Sequence, residues 1–270
     1  MFRFAILAAL AGFSIPAQGA FQDGTTGPVA LGMGGASCAL MQSPWGTLAN
    51  PSLLSSAGPF HLAAMISPHR FGLSELATGR MLAIVPTAWG TFAGSVSHEG
   101  FGLYREIVAG LSGGWQMASG FHAGVSVRYF HLAIAGYGMG HAVGIQVGFL
   151  LVLNRVASFG FSAGNINAPV LGRSEERLPQ TYRTGVSVSL ADGFEVAVDL
   201  AKDVLHPLQV QSGFQYRLLN ELIFRAGTGL EPSSFGAGLG LRWSDIAFDY
   251  AFNLHPVLGL THFITAGIEL

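Results

Sequence analysis

Charge is what this chain has least of. Only 10% of its 270 residues are Asp, Glu, Lys or Arg, against roughly 25% in an ordinary soluble domain. Thirteen basic and fifteen acidic side chains leave a formal net charge of −2, which argues against a nucleic-acid partner. Cysteine is nearly absent. Cys38 stands alone, so no intramolecular disulfide framework is available. The nine histidines show no metal-ligand spacing, and nothing calls for a metal or another cofactor. Long apolar runs are missing as well. Half of the residues are hydrophobic, yet no internal run reaches the ~18–20 apolar residues of a membrane helix.

What is present is glycine, 38 residues of it, spread through a hydrophobic chain. A soluble protein this poor in charge would struggle to cover its surface. Hydrophobic overall, glycine-rich and without long apolar runs, the composition suggests a transmembrane β-barrel, whose signal per segment is weak. From about Phe60 onward the pattern has period two, the signature of strands. Ile246, Phe248, Tyr250, Phe252 and Leu254 point one way, and Asp245, Ala247, Asp249, Ala251 and Asn253 the other. Phe235, Ala237, Leu239, Leu241 and Trp243 likewise oppose Ser234, Gly236, Gly238, Gly240 and Arg242.

About 14 such segments occur, at 60–67, 79–86, 90–98, 103–115, 121–132, 139–152, 157–166, 181–190, 194–202, 208–217, 222–230, 234–243, 245–254 and 261–270. Most are near the ~9–11 residues that cross a bilayer at a tilt. An even number suits a bacterial outer-membrane barrel, with short turns at one end and longer loops at the other. The connections fit. Ala191-Asp192-Gly193 and Ser244 are tight, whereas Asn167 to Gln180 is long, carries Arg173, Glu175, Glu176 and Arg177, and is expected outside the cell. A soluble β-sandwich also alternates, but its polar face would carry many lysines and glutamates where this chain has glycine, serine and alanine. Small inward residues are expected to leave lumen space. The fold expected is therefore all-β, a transmembrane antiparallel barrel over residues 58–270 in the outer membrane, with outer-membrane lipid as its surroundings.

The N-terminus reads as a signal peptide over residues 1–20. Arg3 precedes the apolar stretch Phe4 to Ile15, Pro16 breaks it, and Ala17-Gln18-Gly19-Ala20 offers cleavage after Gly19 or Ala20. Gly35-Ala36-Ser37-Cys38 lies too far from that stretch to be a lipoprotein acylation site. Next comes "GPVALGMGGASCAL", Gly27 to Leu40. A phosphate loop needs a strand before it and a helix after it. Gly32-Met33-Gly34-Gly35 follows no strand and has no lysine. Residues 21–57 lack barrel alternation and are too apolar for a loose tail, so they are expected inside the barrel or across its periplasmic mouth as a plug, or hatch. Small residues would let their backbone approach the wall, and Asn50-Pro51 would start a helical turn.

"ALGMGGASCAL", followed by "LANPSLL" at Leu48 to Leu54, resembles the N-terminal motif of the PorV/PorQ family, relatives of the FadL-type fatty-acid transporters. "FDYAF" at Phe248 to Phe252 and "LGLTH" at Leu258 to His262 resemble its closing hairpin. The resemblance implies a 14-stranded outer-membrane barrel with an N-terminal hatch, its motif carried by Gly32, Met33, Gly34, Gly35, Asn50 and Pro51. The chain departs from the family pattern at Met41-Gln42-Ser43-Pro44, where an acidic pair is usual, at Ser52, and at Leu270, where an aromatic is usual.

No catalytic group emerges. Ser97 and His98 are neighbours in a strand and point to opposite faces, out of the mutual reach that nucleophilic catalysis needs. Glu195, Asp199, Arg225, Arg242 and Asp249 share inward parity on late strands. They are expected either as ion pairs bracing the wall and anchoring the hatch, or as a polar gate or a site for a substrate's head group. Two functions stay open. One is a hatch-gated channel for small hydrophobic molecules. The other is a non-transporting accessory of a type IX-like secretion system, with secretion-machinery proteins as partners.

Overall fold

A computed structural model describes residues 20–21, 27–41, 43–154, 156–172, 176–204 and 206–270. The expected signal segment lies outside the described residues apart from Ala20, as do Arg173 and Glu175 of the long loop. Fourteen strands close into one barrel: β1 (His61–Ser67), β2 (Thr78–Thr87), β3 (Gly90–Gly100), β4 (Tyr104–Ala118), β5 (Phe121–Ile134), β6 (Gly138–Leu153), β7 (Ala157–Gly164), β8 (Thr181–Ala191), β9 (Phe194–Asp203), β10 (Gln209–Arg217), β11 (Leu222–Leu230), β12 (Ser234–Trp243), β13 (Ile246–His255) and β14 (Gly259–Glu269). Each strand pairs antiparallel with its sequence neighbours, and β1 pairs with β14, so no sheet edge is left open. Closure runs from His61 opposite Glu269 to Ile66 opposite Ile264.

The strand bounds match the alternation to within a few residues. In β13, Asp249 and Ala251 are buried and Phe248 is exposed. In β5, His122, Gly124 and Ser126 are buried while Val125, Val127 and Tyr129 are exposed. The outward side chains form an apolar belt that suits hydrocarbon. Short turns join strands at one end, including Ala88-Trp89 and Ser244-Asp245. The other end carries the loops, of which 165–180 is the longest.

The largest departure from regular pairing involves β6. Its second half pairs with β7 from Val147 to Leu153, but no strand flanks its first half on that side. The loop after β7 does this work instead. Asn167 accepts from Ile145 N at 2.9 Å and donates to Val143 O at 2.8 Å, copying one rung of a ladder with its side-chain amide. Ile166 N donates to Ile145 O and Gly172 N to His141 O, both at 3.0 Å. The period-two reading extends β7 to residue 166. The strand stops at Gly164 because Asn165 takes a left-handed backbone, φ +53°.

Residues 27–57 do not join the sheet. They form a one-turn helix α1 (Pro28–Gly32) and two 3-10 turns at Pro44–Leu48 and Pro51–Ser56. Pro28, Pro44 and Pro51 each sit in the first turn, where the missing N–H is no loss. Gly34 and Gly35 end α1 with left-handed backbones, φ +67° and +102°. Gly35 N donates to Ala30 O at 2.7 Å and Gly34 N to Leu31 O at 3.2 Å, a Schellman closure that a β-carbon would strain. Asn50 caps the last turn by accepting from Ser52 N at 3.1 Å.

Candidate functional site

The wall is cut to receive this N-terminal segment. Gly213 and Gly227 face the backbone of Met33, Gly236 faces Leu31, Gly160 faces Cys38, Gly148 faces Asn50 and Gly124 faces Pro51. A β-carbon on any of these wall glycines would overlap the segment. The expectation that small inward residues leave the lumen open is therefore corrected at this level, where the room is taken by the chain's own backbone. The hatch-motif residues are at the centre of the contact. Gly32 lies against Gly238 and the Arg225 side chain, Gly34 against Thr228 and Gly35 against Gln211. Met33 and Asn50 have no measurable exposure.

Polar side chains on the wall bond directly to the segment's backbone. Asp199 on β9 accepts from Ser37 N at 2.7 Å and Cys38 N at 2.8 Å through one oxygen. Gln146 and Ser162 both donate to Ala49 O, at 2.7 and 2.8 Å, and Ser158 donates to Ala39 O at 2.8 Å. Asn50 donates to Cys38 O at 2.8 Å and Phe149 O at 3.2 Å while its oxygen holds Ser52, so one side chain ties two parts of the segment to β6. Trp45, Leu54, Met65, Leu82, Ile84 and Phe263 fill the space between segment and wall with apolar contact. Burial, with the Asp199 carboxylate nearby, pushes the Cys38 thiol up to about 12. Burial thus favours the protonated thiol, the less nucleophilic form.

The five inward charges divide. Four join one chain of contacts across β8 to β13. Arg242 and Arg225 share Asp249, at 3.2 and 2.7 Å. Arg225 Nε donates to Gln215 at 3.3 Å, Gln215 donates to Glu195 at 2.6 Å, and Ser187 donates to the other Glu195 oxygen. Asp199 stands apart and belongs to the segment's anchorage. The network lines a cavity of about 580 Å³ that reaches the turn end past Gly58, Ala191 and Asn220. Period two also puts Gln215 on the polar side of its strand, but only the structure shows its amide linking the two halves.

On the loop side of the segment the lumen changes character. A small space of about 20 Å³ lies between Leu48 and the inward Arg80 and Arg128, with Ser95, Ser97, Ser126 and Gln146 around it. Both arginines share parity with apolar inward neighbours, such as Leu82 beside Arg80, and parity alone could have found them. Nearer the loops Phe130, Leu132, Ala142, Leu171 and Leu178 pack with Ala20 into a buried apolar cluster, and Phe21, Tyr104 and Val108 lie against it. Ser97 and His98 point to opposite sides of β3, as expected. Among the described residues no group of three or more His, Cys, Asp or Glu gathers to hold a metal ion.

No protein-family model and no curated protein matches this sequence. Solved structures do. The Ralstonia pickettii toluene transporter TbuX superposes with a TM-score of 0.70 at 12% identity, covering 91% of this chain and 98% of its own. The monoaromatic hydrocarbon channel CymD gives 0.66 at 16%, covering 93% and 99%. A FadL homologue of Pseudomonas aeruginosa gives 0.63 at 12%, covering 91% and 98%. The likeness spans nearly the whole of each chain and is one of fold: this protein is a closed 14-stranded antiparallel barrel of the architecture seen in those FadL-type proteins.

Proposed function

We propose that the protein is an outer-membrane channel for small hydrophobic molecules and that residues 27–57 act as its hatch. The carrying observation is the layered lumen. An apolar cluster lies toward the loops, the segment fills the middle, and a polar cavity opens at the turns. With the loops outside the cell, a hydrophobic solute entering from the exterior would meet the apolar cluster first. The structurally similar TbuX, TodX and CymD are described as a toluene transporter, a toluene transporter and a monoaromatic hydrocarbon channel. A monoaromatic hydrocarbon is accordingly the substrate class proposed here. The segment is held by hydrogen bonds and close packing rather than by strand pairing, so it can shift without opening the barrel.

The accessory reading needs an outer surface for a partner protein. Apart from 165–180 and 68–77, the loops are short, as at 101–103, 135–137, 231–233 and 256–258, and the channel reading is preferred. Intact cells expressing the chain test it. Their initial uptake of radiolabelled toluene should exceed that of cells with empty vector, and a hatch-loosening variant should raise it further. Equal uptake in all three, with the barrel folded in the outer membrane, refutes the channel.

A further inference from the structure

The apolar cluster beneath the loops includes residues from the start of the described chain. Phe21 packs edge-on against Phe130, ring centroids 5.1 Å apart, and Ala20 is buried in the same cluster. The nitrogen of Phe21 lies 3.2 and 3.1 Å from the two carboxylate oxygens of Glu106 on β4. Tyr104 donates its hydroxyl to the first of those oxygens. A single amide hydrogen shared between two oxygens satisfies neither well. An ammonium has three hydrogens and satisfies both.

Charge bears on the same site. The groups facing Glu106 and Tyr104 are Glu99 on β3, Glu176 in the 165–180 loop, and Arg70 in the 68–77 loop. Arg70 is paired with Glu99 at 2.8 Å, and Arg80 on β2 also faces Glu99. The sequence supplies a further cation, because cleavage after Ala20 leaves a new amine on Phe21.

We infer that export processing cuts after Ala20, that this frees the α-amine of Phe21, and that Glu106 holds the resulting ammonium, with the Phe21 ring seated in the apolar cluster. The covalent step is hydrolysis by the exporting cell's leader peptidase. Water breaks the peptide bond, the departing leader keeps the carboxylate, and the amine takes up a proton. The pair with Glu106 can form only after this cut. The Phe21 ring is then held in the loop-side cluster by an anchor made during export. The inference rests on the outer-membrane reading, and the two arms of its test separate them.

The first arm is the intact mass and N-terminal sequence of protein purified from membranes. A start at Phe21 is expected, and a retained leader or a start elsewhere, Ala20 included, overturns the inference. The second arm uses the chain's amine inventory. Lys202 is the sole lysine, so the mature protein has two amines, and Lys202 serves as the internal reference. Acetylation by an N-hydroxysuccinimide ester is followed against pH in detergent. The wild-type α-amine should titrate ~1 unit or more above the ~7.7–8.0 of a free α-amine, and react about tenfold or more slowly at pH 7.5. Glu106→Gln should bring the midpoint back, and Glu106→Asp should restore part of the shift. A purely steric role for the apolar cluster would slow the reaction without moving the midpoint. A wild-type midpoint within the free range overturns the pairing even if the cut is where expected, and that measurement needs no variant to fold.

Discussion

Removing the Asp199 carboxylate should unlock the segment while leaving the barrel standing. Asp199 is fully buried and gives one oxygen to two backbone amides, at 2.7 and 2.8 Å. Hydrogen bonds to a charged acceptor contribute about 1.5–3 kcal/mol each. Two of them come to about 3–6 kcal/mol for Asp199→Ala, before any relaxation. At ~1.4 kcal/mol per factor of ten, the open state should gain about 10²–10⁴ in population. Asp199→Asn keeps an acceptor and loses the charge, so it should fall between the two. The β8, β9 and β10 ladders use backbone groups and are untouched. The sole cysteine is the reporter. Cys38 is buried beside Asp199 and reacts with a maleimide only once the segment leaves its seat. In detergent, the labelling rate of the Ala variant should rise by at least two orders of magnitude. Heat-modifiable mobility on a gel should show an intact barrel, and planar-bilayer conductance should rise. Unchanged labelling with a folded barrel would show that Asp199 does not hold the segment. Faster labelling without added conductance would show that the segment does not gate.

Three further outcomes follow from the same geometry. Gly213→Val puts side-chain bulk where Met33 backbone lies, so it should displace the segment and speed Cys38 labelling with Asp199 still present; a rate equal to wild type would refute the matched wall. Tyr250→Arg places a charge on the outward mid-face of β13 and should cost about 2–4 kcal/mol on folding into lipid, whereas Gln215→Lys faces the polar cavity beside Glu195 and should cost little; equal damage would refute the assigned faces. In a Cys38→Ser background, Tyr137→Cys on a loop, 91% exposed, should react with an impermeant thiol reagent on intact cells, and Trp89→Cys on a turn, 84% exposed, should not; the reverse would invert the orientation.

Much of the barrel was legible because period two is a strong signal when one face is apolar and the other small. Strands β10, β11 and β12 begin and end within a residue of the places where alternation starts and stops. The Asn50-Pro51 turn was legible because capping is local. What parity could not supply was the third dimension. It places Ala251 inward, where a large side chain would be expected to find lumen, yet Ala251 is fully buried and α1 packs against β13. It treats wall glycines as empty positions, although Gly160 and Gly227 are filled by the backbone of residues more than a hundred positions away. It groups Asp199 with Glu195 on one strand face, but the four-residue offset puts one at the segment and the other in the cavity. It also gives no hint that Asn167 substitutes for a missing strand, because a side-chain amide leaves no periodic trace.

The seat of the N-terminal segment also constrains how the molecule is assembled. The segment precedes every strand in the chain, but its contacts run from Pro51 against β4 and β5 to Leu31 against β12, with α1 reaching β13 and β14. The ring meets at β1 and β14, where Leu270 N donates to Phe60 O, so the last strand completes the enclosure around the earliest-made residues. No partial chain contains the whole seat. The full set of contacts on residues 27–57 therefore exists only when β1 and β14 have met, and loss of the last strand would strip the seat of α1 as well as open the ring.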